Sequence, residues 1–376
     1  MRRTLLISLA AAAALTTAAG AQATPPGRQM TSDTYAVIGD TPYTTGQIQN
    51  FPNDVAELNA APDVSRVLHL GDIKSGSTKC LTSDADPATG DYTQILSAFG
   101  GFEDPLVYTP GDNEWTDCHR INNGGFTPTE RLATLRSMFF ADPGLTLGQH
   151  RATVDAQDGY PENVTWNASR VQFAVVDLPG SNNDWLPWFS QQTPGATQTQ
   201  EQIDEVTNRT AADIAWIKHV FAAAKASKAK AVLIGIQADM WDPAFGTTPA
   251  AKAAQSDHYT SIIHTLASQS LSWDRKVLLM NGDSHAFEVD HPLADPTTVQ
   301  NQVYGLDQSV PNLERVTVNG SDTACHEWLE LHIDPRSDAV FSWDRHLFAN
   351  QPGAYKDAAT GATVSCPRPI GAYPHQ

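Results

Sequence analysis

Apolar residues gather into short runs along the chain, at 34–39, 66–71, 105–109, 171–178, 230–236 and 276–281. Runs of roughly four to eight apolar residues, bounded by turn formers, suit strands buried on both faces. Between them, a helical repeat predicts helices at about 46–60, 91–99, 127–141, 201–226 and 257–270. The clearest is Ala211 to Ala224, where Ile214, Ile217 and Phe221 recur at helical spacing and make one apolar face for a sheet. Strand and helix in alternation predict an α/β fold. After residue 312 the texture changes. LERVTVNG, EWLELHID and AVFSWDRH follow one another across short turns, which predicts a β meander finishing a sheet. Segments 73–90, 113–126, 143–165 and 286–312 read as long loops, and such loops in compact domains are usually functional or insertional.

Four of the apolar runs end in Gly-Asp: YAVIGD, RVLHLGD, PLVYTPGD and KVLLMNGD. In open α/β sheets, ligands bind beyond the carboxyl ends of the strands. Asp40, Asp72, Asp112 and Asp283 are therefore expected on one rim, joined by His285. A single aspartate at such a place is most simply the cap of the helix that follows. Four with the same preceding pattern are another matter. Crowded carboxylates repel, and a bound divalent cation resolves the conflict.

The N-terminal segment MRRTLLISLAAAAALTTAAGAQA has a basic start, an apolar stretch from Leu5 to Leu15 and a small-residue site at Ala21-Gln22-Ala23. This pattern predicts a cleaved signal peptide over 1–23 and hence a secreted or periplasmic protein. A polar leader over 24–33, a domain over 34–349 and a Gly/Pro-rich tail over 350–376 complete the expected organisation. No later run approaches the length of a membrane span, so none is expected. A formal net charge of −18 argues against bulk nucleic-acid binding, which needs a basic stripe. It leaves room for a small phosphorylated substrate met by a local cation. The four cysteines, Cys80, Cys118, Cys325 and Cys366, suit two disulfides in an exported chain. Three pairings are open, and Cys80–Cys118 with Cys325–Cys366 is preferred because each closes a local loop.

In order, Gly39-Asp40, Gly71-Asp72, Gly111-Asp112-Asn113-Glu114, Gln237 in VLIGIQAD, and Gly282-Asp283-Ser284-His285 resemble the blocks of the calcineurin-like metallophosphoesterases, a group that includes the purple acid phosphatases. The resemblance spans residues 34–290. It implies a four-layer αββα sandwich, two divalent ions and hydrolysis of a phosphate mono- or diester by a metal-bound hydroxide. Residue by residue, it implies Asp40, Asp72 and His285 for one ion, with Asp72 bridging to a second held by Asp112, Gln237 and Asp283. The chain departs from the family pattern at several places. Asp40-Thr41-Pro42 stands where the family continues Asp-x-His, and Asp112 stands where it has a ligating asparagine. Asn113 replaces the histidine that protonates the leaving group, and Gln237 and Asp283 replace two histidine ligands. The second set is thus almost all oxygen, which favours Mg²⁺, Mn²⁺ or Ca²⁺ over Zn²⁺ or Fe.

Asn113 cannot act as an acid, so His119 in GDNEWTDCHR is the candidate proton donor and Arg120 the candidate phosphate fork. Asn182, just after the strand VQFAVVDLPG, is a candidate substrate contact. His69 reads as a core residue, and Asp290 and His291 as residues orienting the ligands. Sequons begin at Asn163, Asn167, Asn208 and Asn319. The competing reading is a catalytically inactive scaffold of this type that binds metal or a surface. A serine esterase is less consistent with the chain. Gly282-Asp283-Ser284 is similar to the GDS nucleophile block, but it lies late and no Asp-x-x-His follows it.

Overall fold

A computed structural model describes residues 31–82, 91–320, 325–349, 354–356 and 363–365. The expected signal peptide over 1–23, most of the leader and Cys366 lie outside the described residues. In chain order the elements begin β1 (Asp33–Ile38), α1 (Thr45–Ala60), β2 (Arg66–His69), α2 (Tyr92–Phe99), β3 (Leu106–Tyr108) and α3 (Pro128–Phe139). There follow β4 (Asp155–Gln157), β5 (Tyr160–Ala168), β6 (Val171–Val175), α4 (Gly180–Asp184), α5 (Gln200–Ser227), β7 (Ala231–Gly235), α6 (Pro249–Ser256) and α7 (Thr260–Trp273). The remainder comprises β8 (Val277–Asn281), β9 (Glu288–Asp290), α8 (Val299–Val303), β10 (Leu313–Thr317), β11 (Glu327–Ile333), β12 (Phe341–Leu347), β13 (Ala354–Lys356) and β14 (Thr363–Ser365).

Two mixed sheets dominate. The five-stranded sheet has the order β12-β11-β1-β2-β3, and the seven-stranded sheet β4-β5-β6-β7-β8-β10-β9. Strands β1, β2 and β3 are mutually parallel, as are β6, β7, β8 and β10. Side-chain alternation explains the layering. Tyr35 and Val37 of β1 join Leu68, Phe173, Leu233 and Leu278 in a core between the sheets. Ala36 and Ile38 point the other way, into a core shared with Phe51 of α1, Ile95 of α2 and Leu135 of α3. Beyond the seven-stranded sheet, Ile217 and Phe221 of α5 pack with Ile262 and Leu266 of α7. Each such side chain contributes roughly 1.5–3 kcal/mol on burial. Helix starts are well specified. Thr44 and Gln47 form a capping box on α1, Thr199 caps α5, and Pro128 opens α3.

The expected C-terminal meander is corrected. β10 joins the seven-stranded sheet beside β8, whereas β11 and β12 pair antiparallel in the other sheet. Val316 and Val318 on one side, and Leu329, Leu331 and Ile333 on the other, fill the same inter-sheet core. The chain satisfies both sets by stepping across that core. Two expected loops also contain structure: 143–165 holds β4 and part of β5, and 286–312 holds β9 and α8. Segment 113–126 winds as successive 3₁₀ turns. Cys80 and Cys118 pin it by a disulfide with Cα atoms 5.9 Å apart. Cys325 is disulfide-bonded as well. No helix among the described residues is long and apolar enough to cross a membrane.

Candidate metal centre

The carboxyl ends of β1, β2, β3, β7 and β8 meet at one rim. Two backbone bonds cross it, Asp40 N to Gly71 O at 2.9 Å and Gly282 N to Gln237 O at 3.1 Å. Asp40, Asp72, Asp283 and His285 all take left-handed backbone, with φ of 52°, 56°, 73° and 58°. Such conformations cost a non-glycine residue on the order of 1 kcal/mol or more, and they cluster where function demands a particular side-chain direction. Close approach sets the flanking glycines. A Cβ at Gly111 would sit 2.1 Å from Asp72 Oδ1, and one at Gly282 would sit 2.3 Å from Asp40 Oδ2.

Two ligand triads result, and they share Asp72. Asp40, Asp72 and His285 each offer a ligand atom within 4.8 Å of the others, and so do Asp72, Asp112 and Asp283. Further contacts order the rim. Asp283 N donates to both oxygens of Asp40, at 3.0 and 3.2 Å. Asp239 N donates to Asp283 Oδ2 at 3.0 Å. Gln237 Nε2 reaches Asp112 Oδ1 at 3.4 Å, and its Oε1 accepts from Gly180 N at 2.6 Å. Asn113 Nδ2 donates to Asp72 Oδ2 at 2.7 Å and to the Tyr43 hydroxyl at 3.0 Å. Tyr43 OH in turn donates to Asp72 Oδ2 at 3.0 Å and lies 3.2 Å from His285 Nε2.

The electrostatics are those of crowded anions. Burial, then Asp112, Glu114 and Asp40, push the Asp72 carboxyl well above its ordinary value. Burial followed by Asp112 does the same to Asp283, and burial with Asp72 and Asp40 raises the Tyr43 phenol. Among the described residues no lysine or arginine side chain forms an ion pair with Asp40, Asp72, Asp112 or Asp283. Lys74 lies nearby, but it donates to the carbonyls of Asn113 at 2.6 Å and Ser75 at 2.9 Å. Burial brings its ammonium down to about 8. The donor set therefore fits divalent cations: carboxylates on left-handed turns, glycines cleared away around them, one imidazole, and mutual repulsion that an added positive charge relieves.

Of the residues expected from sequence, Asp40, Asp72, Asp112, Asp283, His285, Gln237 and Asn113 come together. Arg120 reaches the edge of the group, pairing with Asp117 at 2.6 Å and donating to Ser181 Oγ at 3.2 Å. Two expectations are corrected. His119 is engaged by Phe189: its Nδ1 accepts from Phe189 N at 3.1 Å and the two rings meet edge-on at 5.8 Å. Burial and the Arg120 charge hold its pKa down near 4, so it is neutral near pH 7 and no imidazolium donor. Asn182 is directed to Asp257 Oδ1 at 2.8 Å and to His258 N at 3.0 Å. Its neighbour Ser181 is the residue that meets the site, 2.9 Å from Asp112 Oδ2 and 2.8 Å from Asp117 Oδ1. The left-handed winding of Ser181, Asn182 and Asn183 turns successive side chains in these different directions.

His69 is buried and bonds the Thr41 carbonyl at 3.0 Å, in keeping with a core role. Asp290 acts one step removed, through Arg315 to Asp239, while His291 Nδ1 meets Leu313 O at 3.1 Å. The sequon residue Asn163 is fully buried and bonds Asp213 at 2.8 Å. Sequence reasoning missed Tyr43, Asp117 and the tie made by Glu114, and within Ser181-Asn182-Asn183 it singled out Asn182 where Ser181 meets the rim. Glu114 Oε1 accepts from Asp72 N at 3.0 Å, Gly111 N at 2.7 Å and Tyr108 OH at 2.8 Å. Glu114 and Asp117 lie in GDNEWTDCHR beside Asp112, but nothing in that string distinguishes a ligand from a brace.

No family profile matches the chain, and no curated protein sequence does. Among solved structures it is similar to one titled "GAP50 the anchor in the inner membrane complex of Plasmodium", with a TM-score of 0.40 and 10% identity over 85% of this chain and 90% of that one. A likeness so distant carries neither an activity nor a partner across.

Proposed function

We propose that this chain is a secreted, metal-dependent phosphoesterase of the calcineurin-like type, hydrolysing a phosphate mono- or diester. The observation that carries this reading is the pair of ligand triads joined through Asp72. Asp40, Asp72 and His285 would hold one ion, and Asp72, Asp112 and Asp283 a second, with the Gln237 amide beside Asp112. This oxygen-rich set favours Mg²⁺, Mn²⁺ or Ca²⁺. When bound, such a pair supplies acidified water at neutral pH and neutralises phosphoryl oxygens.

The chain's own residues do the rest. Asp239 N and Gly180 N fix the directions of Asp283 and Gln237, so neither must reorganise when a substrate arrives. Asn113 and Tyr43 form a neutral hydrogen-bonded chain between Asp72 and His285 that holds the shared carboxylate in place without further charge. Arg120, aimed by Asp117 and Ser181 beside Asp112, is the cation that attracts a phosphorylated substrate to an otherwise acidic rim.

One observation favours a second reading, a metal-holding scaffold without turnover. Asn113 cannot donate a proton to a leaving group, and His119, the candidate for that role, is engaged with Phe189. Elemental analysis and turnover of p-nitrophenyl phosphate and bis-p-nitrophenyl phosphate, on wild type and Asp72→Asn, separate the two. Metal-dependent turnover lost in the variant supports the enzyme. Stoichiometric metal with no turnover supports the scaffold, and absence of metal binding ends both.

A further inference from the structure

We infer that the outer face of the β11–β12 hairpin is a second cation site, built for a transition metal and separate from the rim. In this pair Glu330 faces Asp344 directly across the strands, while His332 faces Ser342 and Trp328 faces His346. The period of two puts Glu330 and His332 on one face of β11, and Asp344 and His346 on the same face of β12. The side chains converge. Glu330, His332 and Asp344 each offer a ligand atom within 4.8 Å of the others. His332 Nε2 lies 3.1 Å from Asp344 Oδ2, and His346 Nε2 lies 2.7 Å from Glu330 Oε2.

The bland account is two solvated histidine–carboxylate pairs, each contributing little. It leaves one feature unexplained. Like charges placed directly opposite on a sheet are destabilising, and Glu330 against Asp344 is such a pair. A cation shared by Glu330, Asp344 and His332 reverses that cost, with His346 holding Glu330 from the other side. The rings are already held. His346 stacks on Trp328 at 4.6 Å, and His332 Nδ1 lies 3.5 Å from Thr34 Oγ1. Coordination through Nε2 leaves the His332 proton on Nδ1, facing that hydroxyl. Side-chain exposures of 36% for His332, 71% for Asp344 and 41% for His346 leave the group open to an ion from solution.

An imidazole with two carboxylates, one of them braced by a second imidazole, suits Zn²⁺, Ni²⁺ or Cu²⁺ better than Mg²⁺ or Ca²⁺. The position is also remote from the rim. His332 pairs with Thr34, at the far end of β1 from Asp40, roughly 20 Å along the strand at ~3.3 Å per residue. Because β12 is the outermost strand of its sheet, an ion here clips that edge to β11.

The test is Zn²⁺ equilibrium dialysis on the full chain and on the double variant His332→Gln, His346→Gln. Ions at the rim contribute equally to both proteins, so the variant should hold one equivalent fewer and lose the corresponding rise in melting temperature. Equal stoichiometry and an equal rise would overturn the inference. A second measurement needs no variant. Diethyl pyrocarbonate labelling of wild type, mapped by mass spectrometry, should show His332 protected by Zn²⁺ but not by Mg²⁺. Labelling indifferent to Zn²⁺ would overturn it equally, and neither result depends on catalysis at the rim.

Discussion

Around Arg315 three carboxylates close on one guanidinium: Asp239, Glu288 at 3.0 Å and Asp290 at 2.8 Å, with Trp241 stacked 5.4 Å away. One peptide group away, where Asp239 N meets Asp283, the rim gathers four carboxylates and no lysine or arginine pairs with any of them among the described residues. Both clusters are acidic; the first lies on β9, on β10 and after β7 in the seven-stranded sheet, and the rim on strand ends of both sheets. The difference teaches how each is meant to be neutralised. Where the countercharge is permanent, the fold carries it on a buried side chain. At the rim it keeps the carboxylates convergent with no such side chain, the feature that the proposed cations answer.

The sharpest way to break this contrast is Asp72→Asn, which removes the carboxylate common to both triads. Under the proposed function, phosphoester turnover should fall by more than about 100-fold, since loss of even an outer partner of a metal ligand costs roughly 10–100-fold. Steady-state assay with saturating Mn²⁺ checks it. Next comes Arg315→Met, which strands three carboxylates beside a buried apolar group. Denaturant melts should show a loss of about 3–5 kcal/mol. At the rim the opposite sign is expected. In chelator, Asp283→Asn relieves repulsion and should gain on the order of 1 kcal/mol, while the wild type gains more stability than the variant when Mg²⁺ or Mn²⁺ is added.

The pH dependence of the metal-free wild type follows from the same crowding. Asp72 and Asp283 are raised above the ordinary value of 3.8, so the folded state holds protons that the unfolded chain releases. Stability therefore declines as pH rises above 3.8, and added ions should flatten the decline, as melting temperatures in chelator and in Mn²⁺ would reveal. Asp54 is the smallest and most diagnostic case, a buried carboxylate with neither guanidinium nor ligand cluster. Burial, then Glu57, lift it from 3.8 to about 7, while its Oδ1 accepts from Asn50 and its Oδ2 has no hydrogen bond and lies 4.0 Å from His326 Nδ1. Its protonated form is the stable one, so stability is lost between pH 3.8 and about 7. Asp54→Asn should recover on the order of 1 kcal/mol at pH 8 and nothing at pH 4. A flat difference across that range would break the assignment.

Much of this organisation was legible in the sequence because it is written in local periodicity. The runs before Asp40, Asp72, Asp112 and Asp283 become β1, β2, β3 and β8 with ends displaced by a residue or two, and the main helices fall where their apolar stripes lie. Glycine followed by aspartate at a strand end carried the convergence of the rim. What stayed hidden depends on partners distant in the chain. β10 and β11 have similar alternation, and only the shared inter-sheet core sends them to different sheets. His119 and Asn182 bear suitable chemistry at suitable spacing, yet 3₁₀ turns and a left-handed turn give them other partners. Tyr43 was invisible for the converse reason: an ordinary aromatic three residues after Asp40 becomes a site residue only because the chain doubles back under His285.

The placement of β1 between β2 and β11 has a consequence for how the protein is made. A polypeptide emerging from its N-terminus gives β1 one neighbour early and withholds the other until Glu327–Ile333 has appeared. A product cut short before that segment retains Asp40, Asp72, Asp112, Asp283 and His285, yet the strand beneath Asp40 keeps an unfilled edge that a strand of another molecule can occupy. Completeness of the polypeptide, and not possession of the ligands alone, decides whether the rim assembles within one molecule.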